Sequence, residues 1–154
     1  MKPAGRLGRD QRGQVGGLEG LVFGVLVFVF GTLFVANAWG VVDAKLAASA
    51  AAREATRSYV ESSSAADAER SATAAARDAI EGHGRRWDRT TLSLDGTGFA
   101  RCTRITAAVA YRVPLVAIPL LGQHGRGLTV TARHSELVDA YRSGLDDGAG
   151  CAAP

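Results

Sequence analysis

The sequence lacks the short motifs that mark common catalytic and cofactor sites. It contains no Gly-x-x-x-x-Gly-Lys loop for phosphates, no His-Glu-x-x-His pair for zinc and no Gly-x-Ser-x-Gly nucleophile elbow. Its histidines, His83, His124 and His134, are far apart, and no suitably spaced Asp, Glu or Cys completes a metal site with them. His134 also follows a strand-like alternation, so we interpret it as a sheet residue. These absences predict a protein that is not an enzyme and has no cofactor.

The chain also lacks a strong excess of charge of one sign. The net charge is +3; residues 43–81 hold five bases and seven acids (net −2), and residues 82–154 hold nine bases and six acids (net +3). The nine Arg residues of the second segment are scattered among Thr, Asp and apolar side chains. They form no basic stripe with supporting aromatics, so we interpret them as a solvated surface and expect no nucleic-acid partner.

Cysteine is scarce, with Cys102 and Cys151 the two in the chain. In an exported domain these two residues could form one disulfide. The alternative is that Cys102 is a small buried apolar residue and Cys151 a free thiol on a loose tail. No cysteine lies between residues 20 and 40, which excludes a lipoprotein.

No charged residue and no histidine occurs from Gly20 to Val42. A helix of about 20 apolar residues crosses a hydrocarbon core of about 30 Å. Inside lipid the backbone must satisfy its own hydrogen bonds, which a helix does. The stretch therefore predicts one transmembrane helix over residues 20–42, in contact with the lipid bilayer.

The charges that flank this helix predict its orientation. Positive charge near a membrane span stays on the cytoplasmic side. Four bases precede the span: Lys2, Arg6, Arg9 and Arg12. We therefore expect a single-pass protein of the plasma membrane, with residues 1–19 as a cytoplasmic basic leader and residues 43–154 outside.

A cleaved signal peptide is the alternative to a retained anchor. Ala36-Asn37-Ala38 resembles an A-x-A cleavage site, and cleavage after Ala38 would release a non-enzymatic binding domain. The apolar run is longer than a usual signal-peptide core, however, and continues to Val42 without a helix breaker. Trp39 suits the headgroup region at the end of a retained span. We favour the anchor and keep the released domain as the alternative.

Helix is expected first after the span. Residues 43–59 are rich in Ala with Leu, Arg and Glu, the strongest helix formers, so the membrane helix should continue to about Val60. Ser62-Ser63-Ser64 interrupts it, and Ser64 with Asp67 resembles a capping box. A second helix should then run over residues 65–81, stopped by Gly82 and Gly84. Its residues at helical spacing form one small-residue stripe: Ala65, Ala68, Ala72, Ala75, Ala76, Ala79 and Ile80.

Strand-like alternation begins at Thr91. Residues 91–94 predict a short strand, and Asp95-Gly96-Thr97-Gly98 predicts the turn that ends it. Residues 105–113, terminated by Pro114, and residues 128–133 alternate in the same way. Three strands with short connections predict an antiparallel meander, with the Ala-rich helix as cover for its apolar face.

The predicted fold class is therefore α+β and pilin-like: a long N-terminal transmembrane helix, a second Ala-rich helix and a three-stranded antiparallel sheet. Residues 43–145 form the extracytoplasmic domain, and residues 146–154 a flexible tail of Gly, Ala and Pro. The connection over residues 115–121 is unusually apolar and is expected to cap the sheet or to lie against the membrane or a partner.

Two features at the start of the span indicate helix association. Gly16, Gly20 and Gly24 recur at every fourth position and share one helix face, which allows two membrane helices to approach closely. The alternative is that glycine is simply common in membrane helices. Glu19 lies at the edge of the apolar run, where an unpaired carboxylate is costly. It is either an ordinary interfacial acid or waits for a positive partner from another subunit.

Together these features resemble the TadE-like (TadE/TadG) pseudopilin family of tight-adherence pilus assembly. The likeness is carried by Arg12-Gly13, Glu19, the apolar helix and the Ala/Arg helix of residues 44–57. It continues at Tyr111-Arg112-Val113-Pro114-Leu115 and at Leu128-Thr129-Val130-Thr131-Ala132-Arg133-His134-Ser135-Glu136, and spans about three quarters of the chain.

The resemblance implies a minor pilin or pseudopilin at the bacterial cell surface, without catalytic residues or a cofactor. Its expected partners are other pilin-like subunits and membrane proteins of pilus assembly, which it would meet through the N-terminal helix. It also implies processing by a prepilin peptidase after Gly13. In the family the Glu is fifth after the cut, whereas here Glu19 would be sixth, and a cut after Gln14 would restore that spacing.

Overall fold

The computed structural model describes residues 12–96, 98–114 and 127–146, with side chains from residue 19 onward. It has the expected α+β architecture of a long apolar N-terminal helix, a second helix and a three-stranded antiparallel sheet. In chain order the elements are α1 (Arg12–Glu61), α2 (Ala65–Gly82), a 3₁₀ helix (Trp87–Arg89), β1 (Thr90–Gly96), β2 (Arg104–Val113) and β3 (Leu128–Leu137). The chain divides into two compact units, residues 1–37 (unit 1) and residues 38–154 (unit 2).

Helix α1 is 50 residues long and continues past the apolar run, as the sequence predicts. Its later half is rich in Ala, whose side chain loses no rotamer freedom in a helix. The helix ends at Glu61 because the serines that follow compete for backbone partners. Ser62 donates its backbone N–H to the Tyr59 carbonyl at 3.2 Å and its hydroxyl to the Ser58 carbonyl at 2.7 Å.

Helix α2 begins with the cap that the sequence predicts. Ser64 has an extended backbone, and its hydroxyl oxygen accepts a hydrogen bond from the Asp67 backbone N–H at 3.2 Å. The Asp67 carboxylate in turn accepts from the Ser64 hydroxyl at 2.7 Å. The helix ends at Gly82, and Gly84 takes the positive φ of 68° that favours glycine after a helix.

The sheet is an antiparallel meander of order β1-β2-β3. Its inner face carries the buried alternate residues of β2, which are Ile105, Ala107, Val109, Tyr111 and Val113. The opposite face is more exposed and rich in small and hydroxyl side chains. Thr106 and Ser135, for example, are paired across β2 and β3 by a hydrogen bond of 2.8 Å between their hydroxyls.

Both helices contribute small residues to the core of unit 2. From α2 the buried residues are Ala68, Ala72, Ala76 and Ile80. From α1 they are Ala44, Ala47, Ala48, Ala51, Ala52, Ala55 and Tyr59, which join the inner face of the sheet in one cluster. The sequence predicts the cover from the second helix alone. The contribution of α1 is larger than expected because its Ala residues also recur at helical spacing.

Two local predictions are wrong. Asp95 and Gly96 belong to β1 rather than to a turn, because they pair with Thr106 and Ile105. A Cβ at Gly96 would lie 2.9 Å from Ile105 Cδ1. The close contact between β1 and β2 at this position therefore favours glycine. At the start of α2, Ala65 is exposed, and the buried stripe begins one turn later.

One predicted strand is longer in the structure, and two predicted segments lie outside the described residues. Strand β3 continues to Leu137, four residues past the predicted end, because pairing with β2 extends to Arg104. The apolar connection over residues 115–121 and the tail over residues 147–154 lie outside the described residues.

Candidate functional site

The apolar part of α1 exposes nearly all of its large side chains. Phe23, Phe28 and Phe34 are 72%, 73% and 75% exposed, respectively. In the described part of the chain, α1 is the one helix that is long and apolar enough to cross a membrane. An exposed apolar surface this large marks a contact with lipid or protein.

The polar side chains inside this apolar stretch are satisfied by the helix itself. The Thr32 hydroxyl donates to the Phe28 carbonyl at 2.8 Å, and the Asn37 amide donates to the Leu33 carbonyl at 2.8 Å. An unsatisfied polar group is costly in hydrocarbon. Because these hydrogen bonds go to carbonyls of the preceding helical turn, Thr32 and Asn37 are tolerated in an apolar environment.

Gly20 and Gly24 lie on the open surface of α1. With about 100° of rotation per residue, Gly31 lies on the same face, and the three are within about 40° of one another. A Cβ at any of these glycines would meet nothing within 4 Å. Packing within the described chain therefore does not require them. The spacing of seven residues from Gly24 was the signal that could have identified Gly31 from the sequence.

Glu19 borders this glycine face. It lies about 100° around the helix from Gly20, and its side chain is exposed. Gly13 and Gly16 lie in the first turns of α1, and Gly16 is about 40° from Gly20 around the axis. The face made by Gly16, Gly20, Gly24 and Gly31 is called the glycine face below.

Arg85 binds the part of α1 that begins unit 2. Its Nε donates to Asp43 Oδ2 at 3.0 Å, its Nη2 donates to the Gly40 carbonyl at 3.1 Å, and Nη2 also bonds the Asp43 carboxylate. The guanidinium lies 5.5 Å from the centre of the Tyr111 ring. Burial opposes the charge, but the hydrogen-bonded Asp43 carboxylate and the adjacent Tyr111 side chain outweigh it and raise the pKa of Arg85 above its ordinary value.

Arg142 occupies the other end of the α1 segment in unit 2. Its guanidinium donates to three consecutive carbonyls, those of Val60, Glu61 and Ser62. The same group lies 5.5 Å from the centre of the Phe99 ring, and that ring meets Tyr59 edge-on at 5.7 Å. Neither Arg85 nor Arg142 was identified from the sequence, because their helix partners are more than 40 residues away in the chain.

Cys102 is disulfide-bonded in this structure. The other cysteine of the sequence, Cys151, lies outside the described residues. Cys102 has a φ of 59°, in the left-handed region that non-glycine residues seldom adopt. Its backbone N–H donates to the Val138 carbonyl at 3.0 Å, which ties the segment after β3 to the residues before β2.

No metal centre is formed by the part of the chain that the structure describes. It contains no group of three or more His, Cys, Asp or Glu side chains placed to hold a metal ion. His83 follows α2 as its C-cap, and His134 pairs with Ala107 in the sheet, as expected for a sheet residue. His124 lies outside the described residues.

Comparisons of this chain with protein-family models, with curated proteins and with solved structures find no match.

Proposed function

We propose that this protein is a membrane-anchored, pilin-like structural subunit that works through helix association, as the TadE-like resemblance implies. The observation that carries the proposal is the surface of α1 in unit 1. Its large apolar side chains are exposed, Thr32 and Asn37 are satisfied within the helix, and its glycine face is open at Gly20, Gly24 and Gly31. Small residues on one face allow membrane helices to pack closely.

Unit 2 fits the role of the exported part of such a subunit. It has its own core, and Arg85 fixes the residues that follow the apolar segment. Under this proposal residues 1–19 are cytoplasmic, residues 43–154 are outside, and prepilin peptidase acts after Gly13. The partners are other pilin-like subunits and membrane proteins of pilus assembly.

Cysteine cross-linking in cell membranes tests the association directly. Val27 lies within about 60° of Gly20, Gly24 and Gly31, whereas Val22 lies at least about 160° from each. Both valines are exposed, at 62% and 52%. Val27→Cys should therefore cross-link to a neighbouring helix in much higher yield than Val22→Cys. The unsubstituted chain, with Cys102 and Cys151, gives the background.

A second substitution separates association from folding. A Cβ at Gly24 would meet nothing within 4 Å, and Gly24 lies in unit 1, so Gly24→Leu should leave unit 2 intact. It should lower the Val27→Cys cross-link because it fills the glycine face. Equal cross-linking at Val27 and Val22, or no effect of Gly24→Leu, would contradict the proposal.

A released binding domain is the second candidate function, and the boundary between the two compact units favours it. Unit 2 begins at Ala38, so cleavage after Ala38 would leave the core of unit 2 complete. N-terminal sequencing of the mature protein distinguishes the three outcomes. Gln14 or Val15 indicates processing by prepilin peptidase, Trp39 indicates a released domain, and Met1 or Lys2 indicates an unprocessed anchor.

A further inference from the structure

A small cavity opens where the 3₁₀ helix meets the start of β1. Its volume is about 100 Å³. A cavity needs roughly 10–15 Å³ on this measure to hold one water molecule, so there is room here for a small polyatomic group. Its described lining includes Asp88, Arg89, Thr90, Thr91, Arg112 and Thr129.

The charges at this cavity favour an anion. Arg89 and Arg112 make no ion pair with any described residue, and Arg112 is exposed. The carboxylate of Asp88 accepts two hydrogen bonds from the Arg86 guanidinium, at 3.1 and 2.6 Å. Asp88 is therefore neutralised by Arg86, and the four groups together carry a charge of +2, from three bases and one acid.

Hydroxyl groups complete the donor set. Thr91 and Thr129 are exposed at the cavity, and neither hydroxyl makes a side-chain hydrogen bond among the described residues. Thr90 also lines the cavity, but it pairs with Tyr111 on the inner face of the sheet, so its side chain points away from Thr91 and Thr129 and the hydroxyl donors are these two residues. Arginine and threonine donors together suit the oxygens of a tetrahedral oxyanion, for which Arg offers a planar fork.

The cavity lies at the end of unit 2 where the chain arrives from the apolar segment. Thr90 pairs with Tyr111, whose ring lies under Arg85, and Arg85 binds Gly40 and Asp43. On the neighbouring strand, the Thr131 carbonyl accepts from the Lys45 ammonium. Under the proposed anchoring by residues 20–42, the α1 residues bound at this end of unit 2 follow directly after the membrane span in the sequence.

We propose that the cavity binds one phosphate group, held by Arg89 and Arg112 with hydrogen bonds from the threonine hydroxyls. This proposal rests on the proposed membrane anchoring. If the chain is anchored in a bilayer, the phosphate is the phosphodiester of an anionic lipid headgroup. Free phosphate offers the same oxygens to the same donors. The two sources differ in whether binding requires the lipid.

The test uses the full chain purified in a non-ionic detergent without phosphate. Retention of phosphatidylglycerol is counted by native mass spectrometry, and binding of inorganic phosphate is measured by calorimetry. The variant is Arg89→Gln with Arg112→Gln. The control is Arg53→Gln with Arg104→Gln, which removes the same charge. Arg104 lies on the same face of β2 as Arg112 but eight residues earlier, about 27 Å along the strand.

Wild type and control should bind one phosphate group per chain, and the Arg89/Arg112 variant should bind at least about tenfold more weakly, as expected when hydrogen bonds to a charged group are lost. Arg112→Lys should give an intermediate loss, because it keeps the charge but not the fork. Retention of phosphatidylglycerol alone identifies the lipid as source, and binding of inorganic phosphate alone identifies free phosphate. Equal binding by the two double variants, or no binding by wild type, overturns the proposal.

These outcomes are separate from a failure of the proposed function. Release of the chain from membranes by alkaline extraction would refute the anchor, whereas phosphate binding in detergent does not depend on insertion. Circular dichroism of each variant confirms that unit 2 is folded, which is expected because Arg89 and Arg112 make no side-chain hydrogen bond among the described residues.

Discussion

Arg142 caps helix α1 from the far end of the chain, with its Nη2 donating to the carbonyl of Glu61 at 3.1 Å. The last turn of α1 has no basic residue of its own. The final carbonyls of a helix lack intrahelical partners and carry the negative end of the helix dipole, so a cation there is stabilising. The segment after β3 thus completes a helix that ends some 80 residues earlier.

Arg142→Ala should lower the free energy of unfolding by about 1–3 kcal/mol, the range for a charged hydrogen-bond donor at a helix C-terminus. Urea unfolding of the full chain in detergent measures the change. Arg133→Ala removes an exposed Arg from β3 and should cost at most about 0.5 kcal/mol. Equal losses for the two variants would show that the cap contributes nothing specific.

The Arg85–Asp43 pair should show a larger coupling than a surface pair. The Arg85 side chain is 16% exposed and that of Asp43 is 39% exposed, whereas Arg57 and Glu61 are 64% and 62% exposed. A double-mutant cycle of Ala substitutions at Arg85 and Asp43 should give about 1–3 kcal/mol. The same cycle at Arg57 and Glu61 should give a much smaller coupling, because solvent and salt screen an exposed pair. Similar coupling free energies for the two pairs would contradict a specific stabilising role of the Arg85–Asp43 pair.

The cap of α2 should weaken in acid. Hydrogen bonds from Ser64, Arg70 and Ser63 lower the pKa of Asp67 below its ordinary value of 3.8. Because the pKa is lower in the folded than in the unfolded state, the stabilisation is complete above about pH 4–5 and is lost as the pH falls through the folded value. The stability difference between wild type and Asp67→Asn should therefore shrink from about pH 6 to about pH 3. A constant difference in urea unfolding would contradict this.

Glu19→Ala should leave membrane insertion unchanged or improve it, because a carboxylate at the edge of the span is costly. If Glu19 pairs with a positive group of a neighbouring subunit, the Val27→Cys cross-link should fall by a factor of about two to five, as for an ion pair of about 0.5–1 kcal/mol. Glu19→Gln, which keeps the size without the charge, should behave like Glu19→Ala. Unchanged cross-linking and fibre yield would identify Glu19 as a solvated interfacial acid.

The elements of this fold could be predicted from the sequence because their signals are local. The charge-free run, the serine interruption, the Ser64–Asp67 cap and the alternation of apolar residues in β2 and β3 each act within a few neighbouring residues. The same local view failed at Gly96. A glycine after Asp95 indicates a turn, but the positive φ of 113° falls at Gly98, and Gly96 is needed for close contact with Ile105.

The contacts of Arg85 and Arg142 with α1 could not be predicted, because they join residues that are distant in the sequence. Arg85 and Arg142 resemble any other scattered Arg in a sequence that contains many. Their roles depend on which carbonyls and carboxylates the fold brings within reach, and those partners are 42 and about 80 residues away. The register of the sheet likewise pairs Arg112 with Thr129 at the proposed phosphate site, although the two are 17 residues apart in the chain.

Of the eighteen described core residues, eleven are Ala. Alanine has no side-chain rotamers to lose, so these eleven positions are ordered without a cost in side-chain conformational entropy. The larger core side chains that could rearrange are therefore few, and the longest are Tyr59, Ile80, Ile105 and Tyr111. Heating should therefore loosen unit 2 by separating whole helices from the sheet rather than by gradual softening of its packing, and its core methyl groups should remain uniformly rigid up to the unfolding transition.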